Sequence, residues 1–448
     1  MNRMFPENFL WGCASSSYQV EGGAAQDGRG ESIWDVFSHQ PGNIKDNHNG
    51  DVSVDQYNRY PEDVAIMKNM GLNAYRFSLS WSRLLPTGRG EINQAGVDYY
   101  NRLIDSLLEA DIEPWITLFH WDLPQALQED FGGWESKVVV DYFADYARLV
   151  AEKYSDRVKN YFTLNEFFCF TDKSYGTCEF APGIKLDRKG LNQVRHNSLL
   201  AHGKSVKALR EAAVSEINVG LADNPRIFVP AIETQEYIDA AQKAMRIQNA
   251  PFMTTILEGA YPQEYLEQQG ADSPEFTDEE MNIISEKIDF VGINAYYPMY
   301  VRPADNKLGY EIIDAPKEYP TMGADWIKFG PQIIYWAVRH VNEIWDVDNI
   351  YISENGCAAT DEINENREIL DVDRIAYLRE HLNSALRVIE EGYPLNGYFL
   401  WSYIDNFEWA DGYNYRFGIV YVDYKTLERI PKLSAEFYKN VITANALV

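Results

Sequence analysis

Short apolar runs alternate with longer amphipathic segments along this chain of 448 residues. Eight of the runs predict β-strands, and most of them are continuously apolar, as in parallel strands that are covered on both faces. The predicted strands are residues 9–14, 74–79, 114–119, 161–164, 219–222, 290–293, 350–352 and 397–400. Each of them ends in polar or aromatic residues, so the candidate chemistry of the chain collects at one end of the strands.

Between these runs, apolar residues recur at helical spacing. Asn93 is a suitable N-cap for one such segment, and Gly392 ends another. The clearest predicted helices are residues 96–110, 141–153, 195–213 and 373–391. Eight strand–helix units without a linker predict a single α/β domain, a (β/α)8 TIM barrel that spans residues 1–448. An open doubly wound sheet would carry a glycine-rich phosphate turn after an early strand, and the sequence contains none.

Two segments, residues 27–58 and 298–331, are too long for ordinary connections and predict irregular loops. Both are rich in aromatic residues and glycine, and both follow predicted strands. Catalytic groups of TIM barrels lie where strands end and loops begin. We therefore expect these two segments to form walls of an active-site pocket.

Composition narrows the class of partner. The 40 basic and 68 acidic residues give a net charge of −28, which repels nucleic-acid phosphates and anionic lipids. The 11 Trp and 30 Tyr suit a site that stacks on flat polar ligands, although they fit a large aromatic core as well. We therefore expect a small-molecule ligand rather than a nucleic acid or a membrane, and the sequence leaves a homo-oligomer open.

The cysteines, the histidines and the N-terminal segment bear on location and cofactors. The N-terminal segment lacks the apolar core of a signal peptide, and no run reaches the roughly 18 apolar residues that a membrane span needs. Seven histidines form no HExxH-like cluster, so neither a metal nor another cofactor is predicted. Four cysteines follow no metal or redox spacing, which favours reduced thiols in a cytoplasmic protein. These are Cys13, Cys169, Cys178 and Cys357.

Two carboxylates each close a predicted strand, Glu166 in the run TLNE and Glu354 in the run ISENG. A charge at such a place is partly desolvated, which costs free energy and is tolerable where chemistry needs the charge. The ends of the fourth and seventh strands face each other across a barrel mouth, so the two side chains can converge on one ligand. Retaining hydrolysis of a glycoside needs two carboxyl groups roughly 5–5.5 Å apart. Taken singly, each Glu fits an ordinary loop carboxylate or a salt bridge at the barrel rim. Taken together at these two strand ends, the pair predicts a retaining glycosidase.

Amide, imidazole and indole groups accompany the two carboxylates at the other strand ends. Amides and imidazoles both donate and accept hydrogen bonds, as sugar hydroxyls require, and indole faces pack against the C–H face of a sugar. The strand-end residues are Gln19, Arg76, His120, Trp121, Asn165, Asn224, Asn294, Tyr296, Asn355, Trp401, Glu408 and Trp409.

At this point the chain resembles the family 1 glycoside hydrolases, the group that contains the β-glucosidases. The matching runs, in order along nearly the whole chain, are FLWGCASSSYQVEG, RFSLSWSRLLP, LFHWDLPQAL, TLNE, FVGINAYYP, ISENG and WSYIDNFEWADGYNYRFGIVYVDY. TLNE or ISENG alone is a weak match, and the ordered set is a specific one. The resemblance implies a β-glucosidase that acts on cellobiose-like oligosaccharides, as in cellulose degradation, and on aryl or alkyl β-glucosides, with β-galactosidase and β-fucosidase side activity.

The resemblance also implies roles for individual residues. Glu166 would be the general acid/base and Glu354 the nucleophile, with Arg76 and Tyr296 as partners of the nucleophile. An Arg beside Glu354 would lower its pKa and keep it ionised, whereas Glu166 must stay protonated until it donates. The residues that would hold the non-reducing-end sugar are Gln19, His120, Asn165, Trp401, Glu408 and Trp409. Trp121, Asn294, Tyr296 and Phe417, which lie in the matching runs, complete the predicted substrate-binding set.

Several features concern substrate preference. Trp326 resembles a tryptophan that borders the leaving-group side, although a plain hydrophobic anchor is an equal reading. The sequence departs from the family at Phe167, where proline is usual, at Ser353, where threonine is common, and at Phe180, where histidine is frequent. The first can shift the backbone beside Glu166, and the last lies in a loop that borders the leaving-group side.

The sugar itself is predicted to be unphosphorylated. Relatives that act on 6-phosphorylated sugars replace a Glu–Trp pair that this chain keeps as Glu408 and Trp409. A carboxylate beside O6 repels phosphate. Glucose, galactose and fucose stay open, because Gln19 and Glu408 can bind hydroxyls of either orientation.

Other protein classes fit less well. A non-catalytic sugar-binding barrel need not keep both carboxylates. A lyase or aldolase barrel needs a Schiff-base lysine or metal ligands at the strand ends, and the predicted strand ends carry neither.

Overall fold

The computed structural model describes residues 4–448. Its centre is a closed barrel of eight parallel strands, in which each strand pairs with its neighbours along the chain and the last pairs with the first. The strands β1–β8 are Leu10–Ala14, Ala74–Ser78, Glu113–Phe119, Asn160–Asn165, Asn218–Asp223, Phe290–Asn294, Ile350–Asn355 and Leu395–Trp401. Each of the eight predicted strands overlaps one of them, and the predicted (β/α)8 barrel is confirmed.

A long helix follows each strand. The helices α1–α8 are Gln56–Met70, Gln94–Glu109, Lys137–Tyr154, Arg188–Ala212, Gln235–Gln248, Gln332–Trp345, Val372–Glu390 and Leu433–Ala444. The four helices predicted from periodicity are α2, α3, α4 and α7. Helix α4 begins at Arg188 rather than at residue 195, because the side chain of Asp187 caps it by accepting a hydrogen bond from the backbone N–H of Gly190 (2.8 Å).

Shorter elements belong to the segments that join strands to helices. The short helices are Ser17–Val20, Ile33–Ser38, Trp81–Leu84, Gln125–Phe131, Met253–Glu258, Gln263–Gln269 and Asp278–Ile284. Single turns of 3₁₀ helix are Lys45–Asn47, Gly133–Glu135, Gly270–Asp272 and Trp409–Asp411, and a π-helical turn is Cys169–Lys173. Strands outside the barrel are Phe228–Pro230, Met299–Pro303, Tyr310–Ile313, Thr321–Met322, Ala324–Lys328, Val420–Val422 and Arg429–Pro431.

The prediction that residues 27–58 and 298–331 are irregular is wrong in part. The first segment contains a short helix, which a capping box between Ser32 and Asp35 begins. The second contains two antiparallel hairpins. Gly323 makes the tight turn of one hairpin with a φ of +72°, a conformation that favours glycine. Strands of two to five residues are too short to show a period-2 pattern, which explains why the sequence did not predict them.

Aromatic side chains fill the barrel below its carboxyl-terminal mouth. The indole of Trp115 lies 4.9–5.7 Å, between ring centroids, from the rings of Phe162, Phe290, Tyr351 and Phe399. Such a packed interior leaves the strand ends as the place where a ligand can enter. Within residues 4–448, no helix has both the length and the apolar character needed to cross a bilayer.

Candidate active site

A cavity of about 500 Å³ opens at the carboxyl-terminal ends of the barrel strands. Eleven of the residues predicted for the site line it: His120, Trp121, Glu166, Asn294, Tyr296, Trp326, Glu354, Trp401, Glu408, Trp409 and Phe417. The other three, Gln19, Arg76 and Asn165, are buried behind this lining and hold it in place. The strand ends therefore bring the predicted residues together around one pocket.

Glu354 lies in β7 and is only 3% exposed. Its Oε1 accepts a hydrogen bond from Nη1 of Arg76 at 2.8 Å, and its Oε2 accepts one from the hydroxyl of Tyr296 at 2.7 Å. Each carboxylate oxygen thus has a fixed donor, and one donor is a cation. This arrangement stabilises the ionised carboxylate.

Arg76, in β2, is held rigidly at 1% exposure. Its Nε donates to the hydroxyl of Thr117 (3.0 Å), and its Nη1 also donates to the backbone carbonyl of Ser353 (3.0 Å). Its Nη2 donates to Oδ1 of Asn165 (2.5 Å), and the guanidinium lies over the ring of Phe162 at 4.8 Å. Because these contacts fix the orientation of the guanidinium, the cation stays in place beside Glu354.

Glu166 follows β4 in a left-handed backbone conformation, with a φ of +53°. Its backbone N–H donates to the carbonyl of Ala222 (2.9 Å), which anchors the turn to the neighbouring strand. Its Oε1 accepts a hydrogen bond from Nδ2 of Asn294 (2.8 Å), and its Oε2 accepts one from the thiol of Cys169 (3.1 Å). A non-glycine residue at positive φ carries backbone strain, which is often found at functional sites.

Burial raises the pKa of both carboxyl groups. The negative charge of Asp223 adds to the increase for Glu166, and the charge of Glu166 helps to raise the pKa of Glu354 to about 7. Arg76 lowers the pKa of Glu354, as the sequence predicted, but burial has the larger and opposite effect, so the pKa is raised overall. Since Arg76 contacts Glu354 directly and acts on Glu166 only from a distance, a single proton shared by the pair favours Glu166.

Two polar groups in the pocket lack partners of their own. Nε2 of His120 accepts a hydrogen bond from Nδ2 of Asn165 (3.2 Å), whereas Nδ1 of His120 has no partner within residues 4–448. Burial and the charge of Arg76 keep the pKa of His120 well below its usual value, so the ring is neutral. Oε2 of Glu408 is likewise buried without a partner in that range, and burial, with the charges of Asp411 and Glu354, raises the pKa of Glu408 to about 8. Buried polar atoms without partners cost free energy unless a ligand pairs with them.

Gln19 has little hydrogen-bonding capacity left for a ligand. Its Nε2 donates to Oδ1 of Asn406 (3.1 Å) and to the carbonyl of Phe407 (2.8 Å), and its Oε1 accepts from the hydroxyl of Ser16 (2.7 Å). A primary amide has two N–H donors, and here both are used. What remains is one acceptor site on Oε1.

Aromatic rings form the walls of the pocket. The indole of Trp409 lies against those of Trp121 and Trp34, with ring centroids 4.4 and 4.5 Å apart. Trp326 stacks on Phe417 at 6.3 Å and is 43% exposed at the mouth. Trp326 belongs to the segment 298–331, which therefore contributes to the wall as the sequence predicted. The prediction is wrong for the segment 27–58, because Trp34 is fully buried behind Trp409 and supports the wall without lining the cavity.

Sequence reasoning missed three groups that shape the carboxyl pair. Cys169 lies three residues after Glu166, and the π-helical turn directs its thiol back to the carboxylate. The hydroxyl of Ser353 donates to Oδ1 of Asn294 (2.6 Å), which turns the amide nitrogen of Asn294 towards Glu166. The carboxylate of Asp223 accepts a hydrogen bond from the backbone N–H of Phe167 (3.2 Å), an N–H that a proline there would not have.

Phe180, the departure expected to affect the leaving group, lines the cavity. Its ring lies 5.3 Å from that of Trp121 and 5.4 Å from that of Trp34. The position therefore carries an apolar face where a histidine would be polar.

Comparison with known proteins identifies the family. The model of glycosyl hydrolase family 1 matches residues 1–447. The chain is 44% identical to Beta-glucosidase A of Thermotoga maritima and 45% identical to a 1,4-beta-D-glucan glucohydrolase of Thermotoga neapolitana, in each case over 99% of both chains. A solved structure of the family 1 β-glucosidase of Thermotoga maritima, in complex with isofagomine lactam, is 43% identical, covers 100% of both chains and superposes with a TM-score of 0.91. The chain therefore belongs to glycosyl hydrolase family 1.

Proposed function

We propose that this glycosyl hydrolase is a retaining β-glucosidase that removes terminal β-D-glucosyl residues from the non-reducing ends of cellobiose-like oligosaccharides and aryl or alkyl β-glucosides. The main support for this proposal is the pair of buried carboxyl groups at the ends of β4 and β7. One of them is hydrogen-bonded to a cation and the other to neutral donors. The similar proteins named as a β-glucosidase and a 1,4-beta-D-glucan glucohydrolase support this choice of sugar.

The proposed reaction has two displacements at the anomeric carbon. In the first, a carboxylate oxygen of Glu354 attacks that carbon, the bond to the leaving oxygen breaks, and Glu166 gives its proton to the leaving oxygen. In the second, water gives a proton to Glu166 and attacks the same carbon, and the bond to Glu354 breaks. Two inversions return the β configuration. An alcohol in place of water gives transglycosylation.

The unpaired polar groups supply the sugar contacts. Nδ1 of His120 and Oε2 of Glu408, which have no partner among the described residues, can bind sugar hydroxyls, and Gln19 keeps one acceptor site. The amide nitrogen of Asn165 gives one N–H to His120 and keeps the other for the 2-hydroxyl of the sugar. The indoles of Trp401 and Trp409 offer faces for the C–H side of the sugar, and Trp326 borders the leaving-group side.

Replacing Arg76 with methionine tests the pairing of cation and nucleophile. Because catalysis needs Glu354 ionised, kcat/KM rises with pH through the pKa of Glu354, which is about 7 with Arg76 present. Loss of the cation raises that pKa, so we expect the acidic limb of the kcat/KM profile to move up by roughly one pH unit or more. The basic limb, which reflects Glu166, should move less.

Arg76→Lys is the matched control, since it keeps a positive charge while losing the fork. Its acidic limb should stay close to that of the wild type even if kcat falls. An acidic limb that stays in place in Arg76→Met, with the fold verified by circular dichroism, would contradict the pairing.

A panel of substrates tests the choice of sugar. We expect turnover of aryl β-D-glucoside and cellobiose, with side activity on aryl β-D-galactoside and β-D-fucoside. An aryl 6-phospho-β-D-glucoside should have a kcat/KM roughly 100-fold lower or worse, because its phosphate meets the negative charge of the carboxyl pair in a pocket of low dielectric. Preference for the phosphorylated substrate would show that the pocket around Glu408 and Trp409 has been misassigned.

Two further proposals concern the whole chain. We propose that it works as a single catalytic domain, because one continuous cluster of buried apolar residues connects the barrel with the helices around it. We also propose a cytoplasmic location, since the four cysteines are free thiols.

A further inference from the structure

One arm of the active-site cavity is lined by basic side chains, although the chain has a net charge of −28. The cations are Lys173, Arg188, Arg195 and Arg226. Of these, Arg195 is neutralised by Asp172, with Nε 3.0 Å from Oδ2. Arg188 and Arg226 form no ion pair with a carboxylate in the described residues, so this arm holds cations that are not neutralised, while the carboxyl groups of Glu166 and Asp223 line the same cavity.

The arm adjoins Oε2 of Glu166, the carboxyl oxygen that is not bonded to Asn294. Oε1 of Glu166 accepts a hydrogen bond from Asn294, which in turn accepts one from Ser353, the neighbour of the nucleophile in the chain. Oε2 of Glu166 accepts a hydrogen bond from the thiol of Cys169. Cys169 begins the π-helical turn that ends at Lys173, and its sulfur accepts a hydrogen bond from Nδ2 of Asn224 (3.4 Å), two residues before Arg226. Since Glu166 gives its proton to the leaving oxygen, the space beyond its Oε2 receives the leaving group.

One of the cations keeps its charge free for a ligand, and a second is only weakly paired. Arg226 donates from Nη1 to Oε1 of Gln248 (3.1 Å), a neutral group, and it forms no ion pair with any carboxylate within residues 4–448. Lys173 approaches Glu179 only to 3.9 Å, and its side chain is 35% exposed. Burial and the negative charge of Glu166 raise the pKa of the Cys169 thiol. The positive charge of Lys173 has the opposite effect on that pKa, which shows that it acts within the site.

Each of these cations lies beside an aromatic ring of the cavity wall. Nζ of Lys173 is 4.7 Å from the ring centre of Phe180, and the guanidinium of Arg226 is 5.9 Å from that of Phe168. Both rings line the cavity. An aryl group that packs between such faces would bring a substituent on its outer end to the cations.

For a ligand bound in this arm, the charges of the neighbouring side chains matter more than the net charge of the whole chain. Salt screens interactions beyond about 8 Å at physiological ionic strength, so a bound ligand senses the neighbouring cations more than the distant acidic surface. Among anions, a carboxylate matches the planar fork of Arg226.

We propose that the leaving-group site selects β-glucosides whose aryl leaving group carries a carboxylate, bound by Lys173 and Arg226. This inference rests on the proposed function, because it names the leaving group of the same reaction. It adds a specificity that the sugar contacts do not determine.

The test compares 4-(carboxymethyl)phenyl β-D-glucoside with its neutral amide, 4-(carbamoylmethyl)phenyl β-D-glucoside. The methylene group insulates the ring, so the two phenols are similar leaving groups and the ratio of their kcat/KM values reports binding of the charge. At low salt we expect a ratio of about 10 in favour of the carboxylate. Each partly exposed cation should raise kcat/KM for the carboxylate by roughly 2- to 5-fold, and the two factors multiply. The ratio should fall towards 1 as the salt concentration rises.

Variants assign the effect to the two cations. In the double variant Lys173→Gln/Arg226→Gln we expect a ratio of about 1, because the ratio cancels any change in kcat/KM that the two substrates share. Lys307→Gln/Arg102→Gln is the matched control, because it removes one exposed Lys and one exposed Arg outside the cavity. The control should keep the ratio of the wild type.

The outcomes separate this inference from the proposed function. A ratio of 1 or less in the wild type, or a high ratio that survives in the double variant, overturns the proposal while hydrolysis of the amide still supports a β-glucosidase. The salt series in the wild type needs no variant, so it decides the matter even if the double variant folds poorly. Hydrolysis of neither glucoside would refute the proposed function, and this inference with it.

Discussion

Replacing Glu354 with glutamine is expected to lower kcat/KM by about 10⁴-fold or more while the barrel stays folded, because an amide cannot form the glycosyl-enzyme bond. The loss should be similar for good and poor leaving groups, since attack on the anomeric carbon is needed for both. Steady-state kinetics on aryl β-D-glucosides measures it. Removing the carboxylate also leaves the buried cation of Arg76 unpaired, so the melting temperature should fall.

Glu354→Gly with azide separates a missing nucleophile from a damaged site. The smaller side chain leaves room for azide to attack the anomeric carbon from the same face as the lost carboxylate. We expect azide to restore turnover of activated aryl β-glucosides and to give the α-glucosyl azide, which NMR identifies by its anomeric coupling. Substantial activity without azide in both Glu354 variants would contradict the assignment of the nucleophile.

Replacing Glu166 with alanine should reduce activity according to the leaving group. For alkyl glucosides and cellobiose, whose leaving oxygens need a proton, we expect kcat/KM to fall by roughly 10²–10⁴-fold. For 2,4-dinitrophenyl β-D-glucoside the first step should be far less impaired, because that phenolate leaves without a proton. The glycosyl-enzyme then accumulates, since no base activates water, and a burst of phenolate should precede a slow steady state.

Azide is again the diagnostic nucleophile, with the opposite stereochemistry. In Glu166→Ala it should attack the glycosyl-enzyme, accelerate the slow step and give the β-glucosyl azide. Cys169→Val is the matched control, because it removes a hydrogen bond to Glu166 but leaves the acid in place. An equal loss for all leaving groups in Glu166→Ala would argue against a general acid at this position.

The sequence predicts the barrel well because its signal is local. A buried parallel strand is a short apolar run, and each run in this chain is followed by a helix of at least twelve residues with an apolar face. The hairpins within residues 298–331 have no comparable signal, because their strands are short and partly exposed. They depend on turns such as the one at Gly323.

The sequence also predicts which residues surround the carboxyl pair, but not how they share hydrogen bonds. Both amide protons of Gln19 are already used, which no motif reveals. The thiol of Cys169 reaches Glu166 only because the chain forms a π-helical turn there, whereas its spacing alone would also fit a buried apolar position. The raised pKa of Glu354 likewise depends on the folded structure, because it is set by how completely the barrel excludes water from the carboxyl group.

The most direct test of the account is to trap the glycosyl-enzyme with 2-deoxy-2-fluoro-β-D-glucosyl fluoride. The fluorine at C2 slows both displacements, whereas the fluoride leaving group speeds the first, so the intermediate accumulates. We expect time-dependent loss of activity, one added 2-fluoroglucosyl group per chain, and mass-spectrometric assignment of that group to Glu354. Inactivation with the label on another residue, or turnover without a covalent adduct and with inverted configuration in the first product, would contradict it.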